Sequence, residues 1–149
     1  MFSPKRILVP TDFSNHSDKA LNRALEIAQE YGSKVYLLHV VDENIQQCAV
    51  DYCINPALIE QMTVESNNAS KAKMEKQAKK ARGSKDIDVI SAVRQGIPYT
   101  EIVNYELKNK IDLVVMAPHG RSGILSHLMG SVADKVVHFS KCPVLLLRE

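Results

Sequence analysis

Five short apolar runs, separated by longer amphipathic stretches, restrict the fold of this sequence more than any other feature. The runs are rich in β-branched residues and nearly continuous, which is typical of strands covered on both faces. They lie at residues 7–9, 35–41, 87–90, 111–116 and 144–147. Strands buried in this way belong to parallel sheets, so the pattern predicts an α/β protein.

Each stretch between two runs carries the spacing and the end signals of a helix. In the first stretch, Ala20, Leu21, Ala24 and Leu25 recur at the three- and four-residue intervals of an apolar helix face. Capping residues, prolines and glycines mark where the helices begin and end. These signals are Ser14 or Asn15 and Gly32 for the first helix, Pro56 and Gly83 for the second, Pro98 for the start of the third, and Gly130 and Pro143 for the fourth.

The alternation of five strands with four helices predicts a parallel sheet with right-handed crossovers and helices on both faces. A chain of 149 residues has the length of one domain, and no repeat or linker divides it. We therefore expect a single domain over residues 1–149, a doubly wound, Rossmann-like α/β fold with five parallel strands in the order 3-2-1-4-5.

Composition excludes several classes of protein. The 19 basic and 17 acidic residues leave a net charge of only +2, whereas a general nucleic-acid binder is far more basic. No apolar run is long enough to cross a bilayer, and the first ten residues do not form a signal-peptide core. Cys48, Cys53 and Cys142 are then expected to be reduced thiols of a cytoplasmic protein, and no second pair accompanies Cys48 and Cys53 to make a zinc site.

The chemistry is expected just beyond the carboxyl ends of the strands, where the strand order of a doubly wound sheet reverses. The segment 117–123 after the fourth run is the most informative, because it is rich in glycine and precedes Gly130 and Ser131. Glycines allow close backbone approach, and the start of a helix attracts anions, so the segment suits a phosphate. The same glycines also fit ordinary turns, and their spacing matches neither a Walker A loop nor a dinucleotide fingerprint.

Several segments, in order along the whole chain, resemble the universal stress protein family. Near the C-terminus they are HisGlyArgSerGly, GlySerValAlaAspLysVal and CysProValLeuLeu. Earlier in the chain they are ValProThrAspPheSer, LeuLeuHisValValAsp and GlyIleProTyrThrGluIleVal. The resemblance implies a stress-response protein with a nucleotide-dependent regulatory role.

The nucleotide-binding branch of that family has the pattern Gly-x2-Gly-x9-Gly-Ser/Thr, which this chain matches in part. Gly120, Gly130 and Ser131 fit the pattern, but Ala117 stands where the first glycine is expected. A methyl group is a small obstacle if the backbone there keeps φ negative and a serious one if φ is positive. We expect ATP binding to be retained, with Mg²⁺ or Mn²⁺ held mainly by the phosphates of the nucleotide.

The resemblance also implies roles for individual residues. Asp12 would accept hydrogen bonds from the ribose, beside Pro10 and Thr11, and Val40 would offer its backbone to the adenine. The remaining residues would line the phosphate path or hold the terminal phosphates: Met116, Ala117, His119, Gly120, Arg121, Ser122, Gly130, Ser131 and Val132. Asp12 is also placed to cap the first helix, and the two roles are compatible.

The resemblance further implies a homodimer formed through the last strand, since members of the family commonly pair this strand with its symmetry mate. An exposed apolar edge favours such pairing. The strand residues concerned are Val144, Leu145, Leu146 and Leu147. The alternative is that its short length, with Arg148 and Glu149, protects this edge.

The sequence is compatible with three functions. The first is an ATP-binding switch with little or no hydrolysis that acts on an unidentified protein partner, because no general base or arginine finger is apparent. The second is a nucleotide-free stress protein that works through dimerisation and protein contacts, which Ala117 favours. The third is an adenine-nucleotide hydrolase. A phosphoacceptor receiver domain is excluded, since the aspartate that should end the third strand and the lysine after a later strand are both missing.

Overall fold

The sheet has five parallel strands in the order β3-β2-β1-β4-β5, as the sequence predicts. The computed structural model describes residues 1–43, 55–84, 86–120 and 128–148. In chain order the elements are β1 (Arg6–Pro10), α1 (Asn15–Tyr31), β2 (Lys34–Asp42), α2 (Pro56–Ser84), β3 (Val89–Gly96), α3 (Pro98–Lys108), β4 (Leu113–Met116), α4 (Ser131–Phe139) and β5 (Val144–Leu146).

The sheet separates two apolar cores, because successive side chains of a strand point to opposite faces. On β1, Ile7 and Val9 pack with α1 and α2, whereas Leu8 packs with α3 and α4. All three side chains are fully buried. Burial on both faces explains why this run is apolar at every position rather than at alternate ones.

Both ends of α1 follow the predicted signals. Ser14 is the N-cap, and its hydroxyl accepts a hydrogen bond from the Ser17 N–H at 3.3 Å. Gly32 ends the helix with φ of +64°, a left-handed conformation that glycine adopts without steric cost. Pro98 occupies the first turn of α3, where its missing N–H is not needed.

The prediction for the third strand is wrong in its bounds. The apolar run at residues 87–90 predicts a strand there, but β3 covers Val89–Gly96. The later residues of β3 are mixed because it is an edge strand, and Ile90 and Arg94 on it are exposed. A continuous apolar run therefore marks β3 only near its start, whereas β5, the other edge strand, is apolar throughout. The fourth and fifth strands are also shorter than their runs, since Ile111, Asp112 and Leu147 lie outside them.

At the amino ends of the strands, Asp112, which precedes β4, joins β4 to β1. Its carboxylate accepts hydrogen bonds from the Lys5 N–H at 2.9 Å and the Arg6 N–H at 3.0 Å. These bonds tie the start of β1 to the start of β4 and leave the carboxyl ends free for a site. Within the described ranges, no helix is long and apolar enough to span a membrane.

The outer edge of β3 is protected by Arg82 from the end of α2. The carbonyls of Asp88 and Gly96 face β2, where they accept the N–H groups of Val35 and Glu43, so the odd-numbered carbonyls of β3 face outwards. The Arg82 guanidinium donates to the outward Val89 carbonyl at 2.7 and 3.0 Å. A positive charge on an edge strand discourages pairing with another chain.

We expect Arg82→Ala to lower the free energy of unfolding by about 1–2 kcal/mol, because two charge-assisted hydrogen bonds to a backbone carbonyl are lost. The exposed edge should also promote aggregation at high concentration. Urea unfolding and light scattering measure both effects. Arg23→Ala is the control, since Arg23 pairs with Glu26 on the exposed surface and its loss should cost less than about 0.5 kcal/mol. Equal effects of the two substitutions would contradict the protective role of Arg82.

Candidate functional site

A cavity of about 270 Å³ lies at the carboxyl ends of β1, β2 and β4. Here the chain order reverses, since β1 pairs with β2 on one side and with β4 on the other. The predicted site residues that border the cavity are Pro10, Thr11, Asp12, Val40, Met116, Ala117, His119, Gly120, Gly130, Ser131 and Val132. Arg121 and Ser122 lie outside the described residues. The structure thus brings together segments that are far apart in the sequence.

Other residues of the cavity wall were not predicted. Pro98 and Ile102 come from the first turns of α3, and Ala133 comes from α4. Leu38 and Ser17 also line the cavity. Pro98, Ile102, Ala133 and Leu38 belong to the segments that resemble the family, but it is the packing of the helices on the sheet that places them at the cavity. The segment GlyIleProTyrThrGluIleVal, which contains the start of α3, is the signal that could have indicated Pro98 and Ile102 as site residues.

Asp12 is ionised on one wall of the cavity. Burial raises the pKa of its carboxyl group, but hydrogen bonds from the side chain and backbone of Ser14 and from Ser17 outweigh burial, and the pKa lies below its usual value. The Ser14 N–H donates to Asp12 Oδ1 at 3.0 Å. Ser14 rather than Asp12 is therefore the N-cap of α1, and Asp12 braces the turn before it.

Gly120 and Gly130 lie where an added Cβ atom would make a tight contact, with a side chain at Gly120 and with backbone at Gly130. A Cβ atom on Gly120 would lie 3.0 Å from Asp12 Oδ2, and one on Gly130 would lie 3.1 Å from the Pro118 carbonyl oxygen. The Gly130 N–H donates to that carbonyl at 2.7 Å. Gly130 has φ of −65°, so glycine is needed there for space and not for backbone conformation.

Ala117 adopts a conformation open to any L-residue. Among the described residues, those with positive φ are Phe13, Lys110, Gly32 and Gly96. Ala117 is half-buried on the cavity wall and is not strained. The departure from the glycine pattern therefore adds a methyl group but no backbone strain, which decides the question that the sequence left open.

His39 lies between the cavity and the core on the α1 and α2 side. Its Nδ1 is 2.7 Å from the Thr11 carbonyl oxygen, and because a carbonyl only accepts, Nδ1 carries a proton. The ring of Phe13 lies against the imidazole, with centroids 4.4 Å apart. His39 thus has a packing role at the end of β1, although it is half-buried rather than fully enclosed.

In the part of the chain that the structure describes, no group of three or more His, Cys, Asp or Glu side chains could hold a metal ion. Cys48 and Cys53 lie outside the described residues. Burial raises the pKa of the Cys142 thiol to about 11, so this cysteine is protonated at neutral pH.

A cavity at the switch point of a doubly wound parallel sheet is the place where α/β proteins of this class bind their ligands. The model of the universal stress protein family matches residues 4–148. A universal stress protein of Methanocaldococcus jannaschii, MJ0531, is 32% identical over 150 residues, which cover 97% of this chain and 82% of that protein. The chain therefore belongs to the universal stress protein family.

Solved structures agree with this assignment. The structure of MJ0577 from the same archaeon superposes with a TM-score of 0.85 at 28% identity and covers 99% of this chain and 98% of that one. A universal stress protein in complex with cAMP superposes with a TM-score of 0.72 at 23% identity, again over 99% and 98% of the two chains. The second likeness shows the shared fold alone.

The Asp12 hydrogen bonds predict a specific pH dependence of stability. Because the pKa of Asp12 is lowered in the folded state, its stabilisation is present above the unfolded value of about 3.9 and is lost as the pH falls through the folded value. Asp12→Asn should therefore destabilise the protein at pH 6 and have progressively less effect towards pH 3. Urea unfolding across this range tests the sign, and a difference that grows as the pH falls would contradict it.

Proposed function

We propose that the cavity binds an adenine nucleotide, with ATP as the ligand in the cell, and that the protein is a nucleotide-dependent stress-response switch. The observation that carries the proposal is the pairing of an ionised carboxylate, Asp12, with a cradle formed by Gly120, Gly130 and the start of α4. One wall suits the hydroxyl groups of a ribose, and the other suits phosphates.

The wall that we assign to the phosphates includes the start of α4, whose first backbone N–H groups have no partner within the helix. The Asp134 N–H bonds to the Gly130 carbonyl at 2.9 Å, so the preceding N–H groups of Ser131 and Val132 are those that the first turn of a helix leaves unsatisfied. The positive end of the helix dipole favours an anion at this point. The Ser131 hydroxyl adds a further donor. Glycine at position 130 lets the start of α4 lie against the Pro118 carbonyl, where a Cβ atom would be only 3.1 Å away. The N–H groups and the hydroxyl at this helix start fit a phosphate group.

The wall that we assign to the adenine base includes the part of β2 that lies beyond its pairing with β1. The Leu38 carbonyl accepts from the Thr11 N–H at 2.8 Å, so the even-numbered residues of β2 direct their N–H and C=O groups towards β1. Pairing with β1 ends at Leu38, and the next such residue is Val40. Its backbone is therefore available to the edge of a base, while Pro98 and Ile102 provide apolar surface.

We expect little or no ATP hydrolysis, because Asp12 is the one carboxylate among the described residues of the cavity wall and is assigned to the ribose. Mg²⁺ or Mn²⁺ would be held mainly by the phosphates. The relative in complex with cAMP shares the fold, but the argument for a nucleotide rests on the cavity of this chain. We expect the protein to act in the cytoplasm, where a thiol such as Cys142 stays reduced.

We also propose that two copies associate through β5. The Pro143 carbonyl accepts from Val114 and the Leu147 N–H donates to Met116, so the backbone groups of Val144 and Leu146 face away from β4. Leu145, between them, is partly exposed. A second β5 can pair with this edge about a two-fold axis, whereas Arg82 protects the other edge of the sheet. The regulated partner of the dimer is an unidentified protein.

Purification without added nucleotide tests the nucleotide proposal. Acid extraction and chromatography should recover near-stoichiometric ATP from the wild type and none from Gly130→Asp, whose carboxylate would occupy the phosphate cradle. Gly83→Ala is the matched control, because no atom lies within 4 Å of the added Cβ, and it should retain ATP. A wild type that stays empty and binds no added ATP with Mg²⁺, even after Ala117→Gly, would favour the nucleotide-free function.

The proposed dimer predicts different effects for two exposed leucines. Leu145→Asp should reduce the mass measured by light scattering to that of a monomer, because it places two carboxylates close together across the two-fold axis. Leu107→Asp, on α3, should leave the dimer intact. A monomeric wild type at micromolar concentration would contradict pairing through β5.

A further inference from the structure

We propose that Gln77 is a positioning residue for the nucleotide cavity: from α2, its side-chain amide fixes the turn between β1 and α1 that carries Asp12. This inference rests on the nucleotide binding proposed above. Gln77 lies outside every motif of the sequence and does not border the cavity.

The amide of Gln77 joins two residues of the first strand–helix unit. Its Nε2 donates to Asp18 Oδ1 at 2.6 Å, and its Oε1 accepts from the Thr11 hydroxyl at 3.1 Å. An ionised carboxylate only accepts, which fixes the orientation of the amide. Thr11 immediately precedes Asp12, and Asp18 lies in the first turn of α1, so one side chain spans both sides of the turn.

The core holds Gln77 in this place. Met74, Ala78 and Ala81 of α2 are buried against the sheet on the same side as α1. Gln77 is half-buried beside them and faces the gap between α2 and α1. Its two hydrogen bonds therefore connect the buried part of α2, at residues 74–81, to a short turn.

The turn needs such support because its backbone is strained. Phe13 has φ of +63°, a left-handed conformation that is unfavourable for a bulky L-residue. Its N–H donates to Thr11 Oγ1 at 3.1 Å, the same oxygen that donates to Gln77. The Lys73 ammonium, one turn before Gln77, lies 5.8 Å from the centre of the Phe13 ring. α2 thus contacts the turn on both sides of Asp12.

Removing the amide would break the hydrogen bonds that tie Thr11 and Asp18 to α2. The Thr11 hydroxyl also lies 3.1 Å from Ser17 Oγ, so it would then bond only within the β1–α1 unit. Thr11 is 5% exposed, so water cannot easily replace Gln77 Oε1. The turn would then relax towards a less strained conformation and move the Asp12 carboxylate, which must face the ribose for binding. The expected effect is a loss of nucleotide affinity in a protein that remains folded.

A reciprocal pair of substitutions tests the inference. Gln77→Glu keeps an acceptor for Thr11 but sets a carboxylate against Asp18, and we expect it to weaken the binding of ATP with Mg²⁺ at least about tenfold by isothermal titration calorimetry. Adding Asp18→Asn reverses the direction of the hydrogen bond, since the introduced asparagine amide can donate to the introduced glutamate. The double variant should bind within about threefold of Asp18→Asn alone.

Gln61→Glu is the matched control. Gln61 Nε2 donates to Glu65 Oε1 on the exposed part of the same helix, so this substitution creates the same clash of carboxylates far from the turn. It should leave the affinity unchanged. Wild-type affinity in Gln77→Glu, or a loss that Asp18→Asn does not restore, would overturn the inference, because a purely structural defect would not depend on this pairing.

Amide exchange provides a readout that needs no nucleotide. The Phe13 and Ser14 N–H groups donate within the turn, to Thr11 and Asp12 respectively. Gln77→Glu should accelerate their exchange at least about fivefold, and Asp18→Asn should restore it. If the wild type binds no ATP, the proposed function fails while this exchange still decides the role of Gln77. Unchanged exchange at both amides would reject it.

Discussion

The pairing of β1 with β2 on one edge and β4 on the other determines where this protein can bind a ligand. The loops that leave the neighbouring strands β1 and β4 diverge to helices on opposite faces of the sheet, and a cavity opens between them. Asp112 ties the starts of these strands together at the far end. All the chemistry argued above depends on this reversal, because Asp12, Val40 and Gly120 meet nowhere else.

Within the cavity, the space at two glycines is limited by different neighbours. An added Cβ would lie 3.0 Å from the Asp12 carboxylate at Gly120 and 3.1 Å from the Pro118 carbonyl oxygen at Gly130. Ala117 does not have the positive φ that would require glycine, so its methyl group adds no backbone strain to the cavity wall. In this chain, glycine at positions 120 and 130 is explained by the limited space for a Cβ atom, and the backbone at position 117 accommodates alanine.

The sequence predicts the elements whose signals are local. The apolar runs indicate buried strands, and Ser14, Gly32 and Pro98 mark helix ends because capping depends on adjacent residues. The bounds of β3 could not be predicted, since its apolar pattern is interrupted at Ser91 and ends at Val93, before the strand does. Pro98 and Ile102 on the cavity wall, and Gln77 behind the turn, follow from tertiary packing. The resemblance supplies most of the site residues, but it does not reveal what holds them in place.

Amide chemical shifts during a titration of the labelled protein with ATP and Mg²⁺ test most directly whether the switch point is the nucleotide site. We predict saturable changes at Asp12, Gly120, Ser131 and their neighbours at the carboxyl ends of the strands. Arg6 and Asp112, at the amino ends, should not change. Saturable changes centred on the amino ends, or no saturable change anywhere, would contradict nucleotide binding in this cavity.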